Sequence, residues 1–347
     1  MERQSTCVTI DPEFDVVYAS FYLYGLEQVF GKESIRFGRL FDKPQGMDAL
    51  NFMVRKGNKE TRVTIALADD FRMISEELYD WCDVYGSVNA NFAKIPERFR
   101  GKLVALCPSF GIRCWNFLRA LHNAVALSGA ARIPLKKHYG KYYRMLKRPR
   151  YEDYAVPSRQ HEPDARYVFS VSTLWYDDEW NGNDVGVNAR RANFIRACRE
   201  LNEVRFEGGL VSQGPGRSSD ELFSDCLCGG VAMGEWMNKT KRSALVFNTP
   251  SFWGCHGWKL GEYLAMGKCI ISTPLTNDLP EPLVHGVNIH FVDNSIEAMK
   301  DAVGFILNHP EYAKQLACGA KDYWNGFGSP TATMERLGLY GSNTKVS

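Results

Sequence analysis

Apolar positions along the chain follow two periods in turn, and the alternation predicts strand and helix from one end to the other. In the first half, DVVYASF (15–21) predicts a strand, YLYGLEQVF (22–30) a helix stopped by Gly31, and SIRFGRL (34–40) a second strand. RVTIALA (62–68), DVY (83–85) and KLVALC (102–107) predict further strands, with a helix around SEELYDWC (75–82). The second half restarts the pattern. RYVFSVST (166–173), VRFEGGLV (204–211), ALVFN (244–248), CIIST (269–273) and NIHFV (288–292) predict strands. NARRANFIRACREL (188–201) predicts a helix, with Ala192, Ile195 and Cys198 at helical spacing. SIEAMKDAVGFILNH (295–309) predicts another, with Asn294 and Glu297 as a capping box and an apolar stripe from Ile296 to Leu307. Pro310 opens a last long helix over EYAKQLACGAKDYW.

Strands interleaved with helices specify α/β layers, here two open Rossmann-like sheets in tandem. The chain has 347 residues, enough for two ordinary domains. The stretch 131–160 is basic and carries Pro134, Pro149 and Pro157, so its second half is read as the linker. The domains are then 1–155 and 156–328, followed by a tail, 329–347.

Composition narrows the class. At 45% hydrophobic and 24% charged residues the chain can form a core, and a net charge of +2 gives no global pull toward nucleic acid. Ten scattered cysteines read as free thiols in a reducing compartment, and Cys226-x-Cys228 has the wrong spacing for a zinc knuckle. MERQSTCVTIDPEFD lacks an apolar signal core, and no run is long enough to cross a membrane. These features fit a cytoplasmic protein.

The segment richest in chemistry is ALVFNTPSFWGCHGWKLGEYLAMGKCIIS (244–272). It reads strand, glycine-containing loop, helix, strand. The loop PSFWGCHG leads into a helix that opens at about His256 to Trp258. Loop amides and a helix N-terminus together favour a phosphate, and Gly254 and Gly257 are the loop positions that let the backbone approach one. Lys259 and Glu262 share a helix face, while Leu260 and Leu264 point to the core. Gly267 ends the helix. A lysine near a helix N-terminus opposes the dipole, so a bound anion would explain it; an incidental Lys/Glu pair on a solvated face would also produce the pattern.

WKLGEYLAMGKCIIS, a proline-containing turn and NIHFV resemble the C-terminal domain of GT-B glycosyltransferases. The likeness is to bacterial polysaccharide and lipopolysaccharide transferases, with a fainter one to exostosin-type enzymes. It runs through the order of elements over 166–325. The resemblance implies two Rossmann-like domains facing a central cleft. It implies transfer of a sugar from a nucleotide-sugar donor to a glycan or lipid-linked acceptor, with no cofactor or metal beyond the donor. Glu262 would hold the donor ribose and Lys259 the diphosphate, with Arg190 and Arg191 as further candidates, or as an ordinary charged first turn. Many retaining relatives carry an acidic residue eight positions before the glutamate; here that position is Gly254, and His256 is the local substitute for a group touching phosphate or sugar. EGGLVSQGPGR (207–217) reads as a loop beside the donor base, and Thr331–Leu339 as a helix crossing back to brace the first domain.

The first half offers weaker candidates. Asp69 and Asp70 end a strand; the pair reads as a helix cap, with Asp70 open as an acceptor-activating base. Asn89, Ser109 and Arg113 follow later strands and could line an acceptor side. Residues 131–150 hold eight Lys/Arg and no acid, interleaved with Tyr139, Tyr142 and Tyr143. That block reads as a solvated face, a nucleic-acid contact or an anionic-membrane contact. The membrane reading places the protein at the inner membrane face, and nucleic acid is not an expected partner. A non-catalytic nucleotide- or glycan-binding protein is the rival function.

Overall fold

The computed structural model describes residues 6–44, 49–131, 135–155, 163–175, 185–214 and 218–339. The chain forms two compact units: Met1–Glu152 with Asn277–Glu281 and Gly326–Ser347, and Asp153–Thr276 with Pro282–Asn325.

Unit one opens with β1 (Thr6–Ile10), α1 (Val16–Phe30) and β2 (Ile35–Phe37). There follow β3 (Ala49–Lys56), β4 (Lys59–Ala66), α2 (Glu76–Trp81), β5 (Val84–Ser87), β6 (Leu103–Ala105), α3 (Phe117–Ala131) and α4 (Leu135–Leu146). The sheet order is β2-β1-β3-β4-β5-β6. Every pair is parallel except those of β3, which runs antiparallel to both β1 and β4. β3 was not among the expected strands. It joins β4 through a two-residue turn at Gly57-Asn58, where Gly57 takes φ 57°.

Residues 15–21 correct the sequence reading: they start α1, not a strand. Asp15 caps the helix by accepting the Val17 N–H at 2.9 Å. Val16, Val17, Ala19, Phe21, Tyr22 and Leu23 are all buried, so the helix is apolar nearly all round and shows no helical stripe. It ends at Gly31, φ 80°, as expected. The first half of the basic segment forms α4, ahead of the stretch expected as the linker. Tyr142 is buried and stacks on Trp115 at 6.1 Å, whereas Tyr139 and Tyr143 are exposed. Residues 132–134 and 156–162 of that stretch lie outside the described residues.

Unit two contains β7 (Tyr167–Thr173), α5 (Val185–Glu200), β8 (Arg205–Val211), α6 (Ser218–Leu222), β9 (Leu227–Cys228) and α7 (Met233–Arg242). It continues with β10 (Val246–Asn248), α8 (Trp258–Met266), β11 (Ile270–Ser272), β12 (His290–Phe291), α9 (Ile296–Asn308) and α10 (Pro310–Tyr323). Two parallel ladders run β7-β8-β9 and β10-β11-β12. They meet along β7, where the Ala244 N–H donates to Tyr167 O at 2.8 Å and the Phe169 N–H to Ser243 Oγ at 2.8 Å. The strands therefore lie in the order β9-β8-β7-β10-β11-β12, a doubly wound sheet whose order reverses between β7 and β10. Its core gathers Val168, Phe194, Phe247, Ile271, Met299 and Val303, with Phe194 stacked on Phe247 at 4.4 Å.

α9 is capped by Ser295, which accepts the Ala298 N–H at 3.1 Å, so the capping box expected at Asn294 and Glu297 does not form. Asn294 instead accepts the Asn193 amide through its backbone carbonyl at 2.8 Å. The final helix, α11 (Pro330–Arg336), belongs to unit one and packs on α1; a Cβ at Gly25 would sit 2.7 Å from Pro330 O.

Two glycines give opposite expectations. Gly208 lies in β8 at φ 130°, and a Cβ there would meet Ser170 O at 2.0 Å. Gly208→Ala should lose about 2 kcal/mol or more. Gly304, inside α9, has nothing within 4 Å of an added Cβ, and Gly304→Ala should gain about 0.5–1 kcal/mol. Urea denaturation of the two variants checks both signs.

Candidate functional site

The reversal of strand order in unit two leaves a crevice beyond the carboxyl ends of β7 and β10, where open α/β sheets receive ligands. Lys259, Arg190 and Arg191, singled out in this half, bond at or just beyond these strand ends. Gly257 is the N-cap of α8 and has no side-chain partner for the helix's first amides. Leu260 and Leu264 are fully buried and anchor the helix to the core. Gly267 closes it in the left-handed conformation, φ 61°, and turns the chain directly toward β11.

The loop before α8 is held by its own backbone. Ser251 N–H donates to Cys255 O at 2.9 Å, and Thr276 Oγ1 donates to Gly254 O at 2.7 Å. Gly254 takes φ 73°, and a Cβ at this position would lie 2.2 Å from Thr276 Oγ1. The loop therefore has no room for a side chain at 254, which is a steric reason for glycine where the resembling retaining enzymes carry an acid. His256 is buried and lies in the loop before the cap; the helix opens at Trp258, so His256 is not on its first turn.

Three cations approach the crevice. Lys259 directs its ammonium to the end of β7, donating to Val171 O and to Ser172 Oγ at 2.8 Å. Arg191 donates to Thr173 O, on the same strand end, at 2.9 Å. Arg190 donates to Thr249 Oγ1 at 2.9 Å, and Thr249 meets Thr273 Oγ1 at 2.8 Å, linking the ends of β10 and β11. Glu262 lies one turn after Lys259, buried, and accepts the Tyr154 hydroxyl at 3.2 Å. Burial and then the charge of Arg191 pull Lys259 down to about 7, against the opposing pull of Glu262. Lys259, Arg190 and Arg191 thus converge on neighbouring strand ends, an arrangement suited to an anion.

Ser172, Thr249, Thr273 and Tyr154 were not singled out from the sequence. A usable signal existed: a hydroxyl stands at or just beyond the end of β7, β10 and β11, where a strand-end residue faces the crevice. Asn188 was also missed; its amide holds both backbone groups of Trp175, at 3.1 and 2.7 Å, and fixes the entry to α5. Residues 176–184 and 215–217, parts of two loops assigned to this site, lie outside the described residues.

The candidates of unit one are separate from this cluster in the chain and in their bonding. Asp70 accepts Arg72 Nε at 2.9 Å and Nη2 at 2.7 Å. The pair holds its carboxyl below the usual range despite the opposing effect of burial, and a carboxylate so committed is a weak base. Nor does it cap a helix, since α2 is capped by Ser75. Asn89 donates to Ala68 O at 3.2 Å, Ser109 is buried, and the Arg113 N–H donates to Pro149 O at 2.8 Å. Among the described residues, no group of three or more His, Cys, Asp or Glu side chains could hold a metal, and the ten cysteines are free.

No family model matches the sequence, and no curated protein does. Solved structures of glycosyltransferases are similar in fold. TarM is 15% identical over 54% of this chain and 37% of its own, with a TM-score of 0.40. A glycosyltransferase from Rickettsia africae is 16% identical over 79% of this chain and 68% of its own, at 0.43. HepE of Anabaena, solved with UDP-glucose, is 10% identical over 74% of this chain and 90% of its own, at 0.38. The chain thus spans well under half of TarM. At such identities and TM-scores the likeness carries no functional argument, and function rests on the site described above.

The shift at Lys259 sets a pH test. The folded group titrates at about 7 and the unfolded one at 10.5. Between these values the unfolded chain holds a proton that the folded chain lacks, so this group makes stability rise with pH across that window. Lys259→Met should abolish that contribution, and the stability difference between wild type and variant, followed by urea denaturation from pH 6.5 to 10, should grow in favour of wild type.

Proposed function

We infer that the protein is a glycosyltransferase that moves a sugar from a nucleotide-sugar to a glycan or lipid-linked acceptor in cell-surface polysaccharide synthesis. The observation that supports this most is the meeting of Lys259, Arg190 and Arg191 with the buried carboxylate of Glu262 at the switch point between β7 and β10. A nucleoside diphosphate has the complementary pattern: two ribose hydroxyls that donate and a diphosphate that needs cations.

In this reading Glu262 accepts the ribose hydroxyls. The amides of 254–257 and the N-terminus of α8 meet the diphosphate, with Lys259 and the two arginines beside it. The bond from the anomeric carbon to the diphosphate oxygen breaks, the acceptor oxygen bonds to that carbon, and the acceptor proton passes to a base or to solvent. Negative charge grows on the departing diphosphate, and fixed cations in a partly enclosed site stabilise it. These cations can serve where other transferases use a divalent ion. His256, buried in the same loop, is a candidate to donate to a phosphate or sugar hydroxyl. The resemblance to bacterial enzymes of this class supports a cytoplasmic site of action at the inner membrane face.

A second reading is a nucleotide-binding protein without transferase chemistry. It is favoured by Gly254, which has no space for an acid, and by Asp70, which Arg72 occupies. Donor hydrolysis or transfer separates the two readings.

Melting against a panel of nucleoside diphosphates and nucleotide-sugars tests the site. One nucleotude class should stabilise the protein, by roughly 2.7 kcal/mol at a hundred times its dissociation constant. Glu262→Ala should weaken that ligand at least about tenfold, and Lys259→Ala should lower turnover by about 10² or more. Wild-type affinity and turnover in both variants would overturn the assignment.

A further inference from the structure

Helix α3 presents to solvent the kind of face that helices usually bury. Phe117, Leu118, Leu121 and Val125 are 66%, 75%, 50% and 56% exposed. His122, Ala126 and Gly129 complete the same outward stripe, which carries no charged residue. The inward face, Ala120, Asn123, Ala124 and Leu127, is buried, so the exposed stripe is not the helix's only attachment to its unit. Contiguous apolar surface of this kind marks a contact with a partner or a membrane.

Charge decides the partner. α4 packs against α3, and its outward side carries Tyr139, Tyr143 and Arg144, with Lys147 just beyond its end. Tyr139 and Tyr143 stack at 6.3 Å, and Lys147 lies over the Tyr143 ring at 4.3 Å. From 98 to 151 the sequence contains no Asp or Glu. Apolar residues beside tyrosines and cations, with no acid nearby, match the layers of an anionic lipid surface: acyl chains, the interface and charged headgroups. A second copy of the chain fits less well, since pairing two such faces would bring like charges together. Not all of the basic segment is free for this role. Lys141 pairs with Asp15 at 3.2 Å, and Tyr142 is buried.

We propose that the exposed apolar stripe of α3, flanked by the basic and tyrosine-bearing side of α4, docks this protein on anionic bilayers. The inference does not rest on the transferase reading, and nucleotide binding is measured in parallel so that either can fail alone.

The test is co-sedimentation of the full chain with phosphatidylcholine vesicles, with and without about one-third phosphatidylglycerol. Wild type should bind the anionic vesicles, less so as salt rises, and leave the neutral ones in solution. Leu118→Asp with Leu121→Asp should lower the partition coefficient at least about tenfold at every salt concentration. Arg144→Glu with Lys147→Glu should remove most of the salt-sensitive part. Melting temperature and nucleotide binding report whether each variant is folded, and Leu121→Ser is a milder replacement should the aspartates unfold the helix. The proposal is overturned if wild type ignores anionic vesicles at low salt, if folded variants bind as wild type does, or if wild type self-associates and Leu121→Ser makes it a monomer.

Discussion

An ammonium group enclosed by protein needs acceptors for its hydrogens and some offset to its charge. Lys259 finds acceptors at the end of β7, in Val171 O and Ser172 Oγ, and a partial offset in Glu262. That contact constrains much of unit two. It ties α8 to a strand in the other ladder, so the two ladders abut as one sheet. The buried Leu260 and Leu264 hold the same helix from behind, and Gly267 lets it return to β11 without an intervening loop. Close packing at Gly208, where β8 meets the Ser170 carbonyl, belongs to the same demand for a tightly drawn sheet around β7.

Burial disfavours the charge on Lys259, and the neighbouring charge of Arg191 disfavours it further, against the opposing pull of Glu262. An anion arriving at the strand ends would return what burial removes, raising the proton affinity of the lysine as it binds. Asp70 in unit one shows the opposite arrangement. There a single carboxylate is matched by a single guanidinium in a two-point contact, its demand is satisfied locally, and little remains with which to attract a ligand. The contrast explains why the two sets of charged residues differ so much as site candidates.

Legibility followed the same physical divisions. The segment 244–272 could be read because a strand, a glycine loop, an amphipathic helix and a left-handed glycine stop each leave a local mark. Residues 15–21 could not, because a helix buried on nearly all sides loses its polar face, and DVVYASF then carries only the β-branched and aromatic residues of a strand. β3 gives a weaker signal because one end, Arg55 and Lys56, is polar and runs into a turn. The partners of Lys259 and Arg191 were out of reach for another reason: both cations bind main-chain carbonyls, and a carbonyl has no signature in sequence. Ser295 displaced Asn294 as a cap by one position, within the usual uncertainty of helix ends.

The stripe on α3 extends that lesson to surfaces. FLRALHNAVALSGAA is apolar around most of its circumference, so helical spacing alone offers several faces that could be the core. Packing resolves the ambiguity by choosing small side chains, Ala120 and Ala124, with Leu127 and Asn123, for the inside. Small inward residues let the helix approach the unit closely, and the larger Phe117, Leu118, Leu121 and Val125 are left outside. A helix selected only for stability would gain by the reverse choice, since burying a large side chain contributes about 1.5–3 kcal/mol. The choice of the smaller face for the core is therefore an argument from packing itself that the outer face has another use.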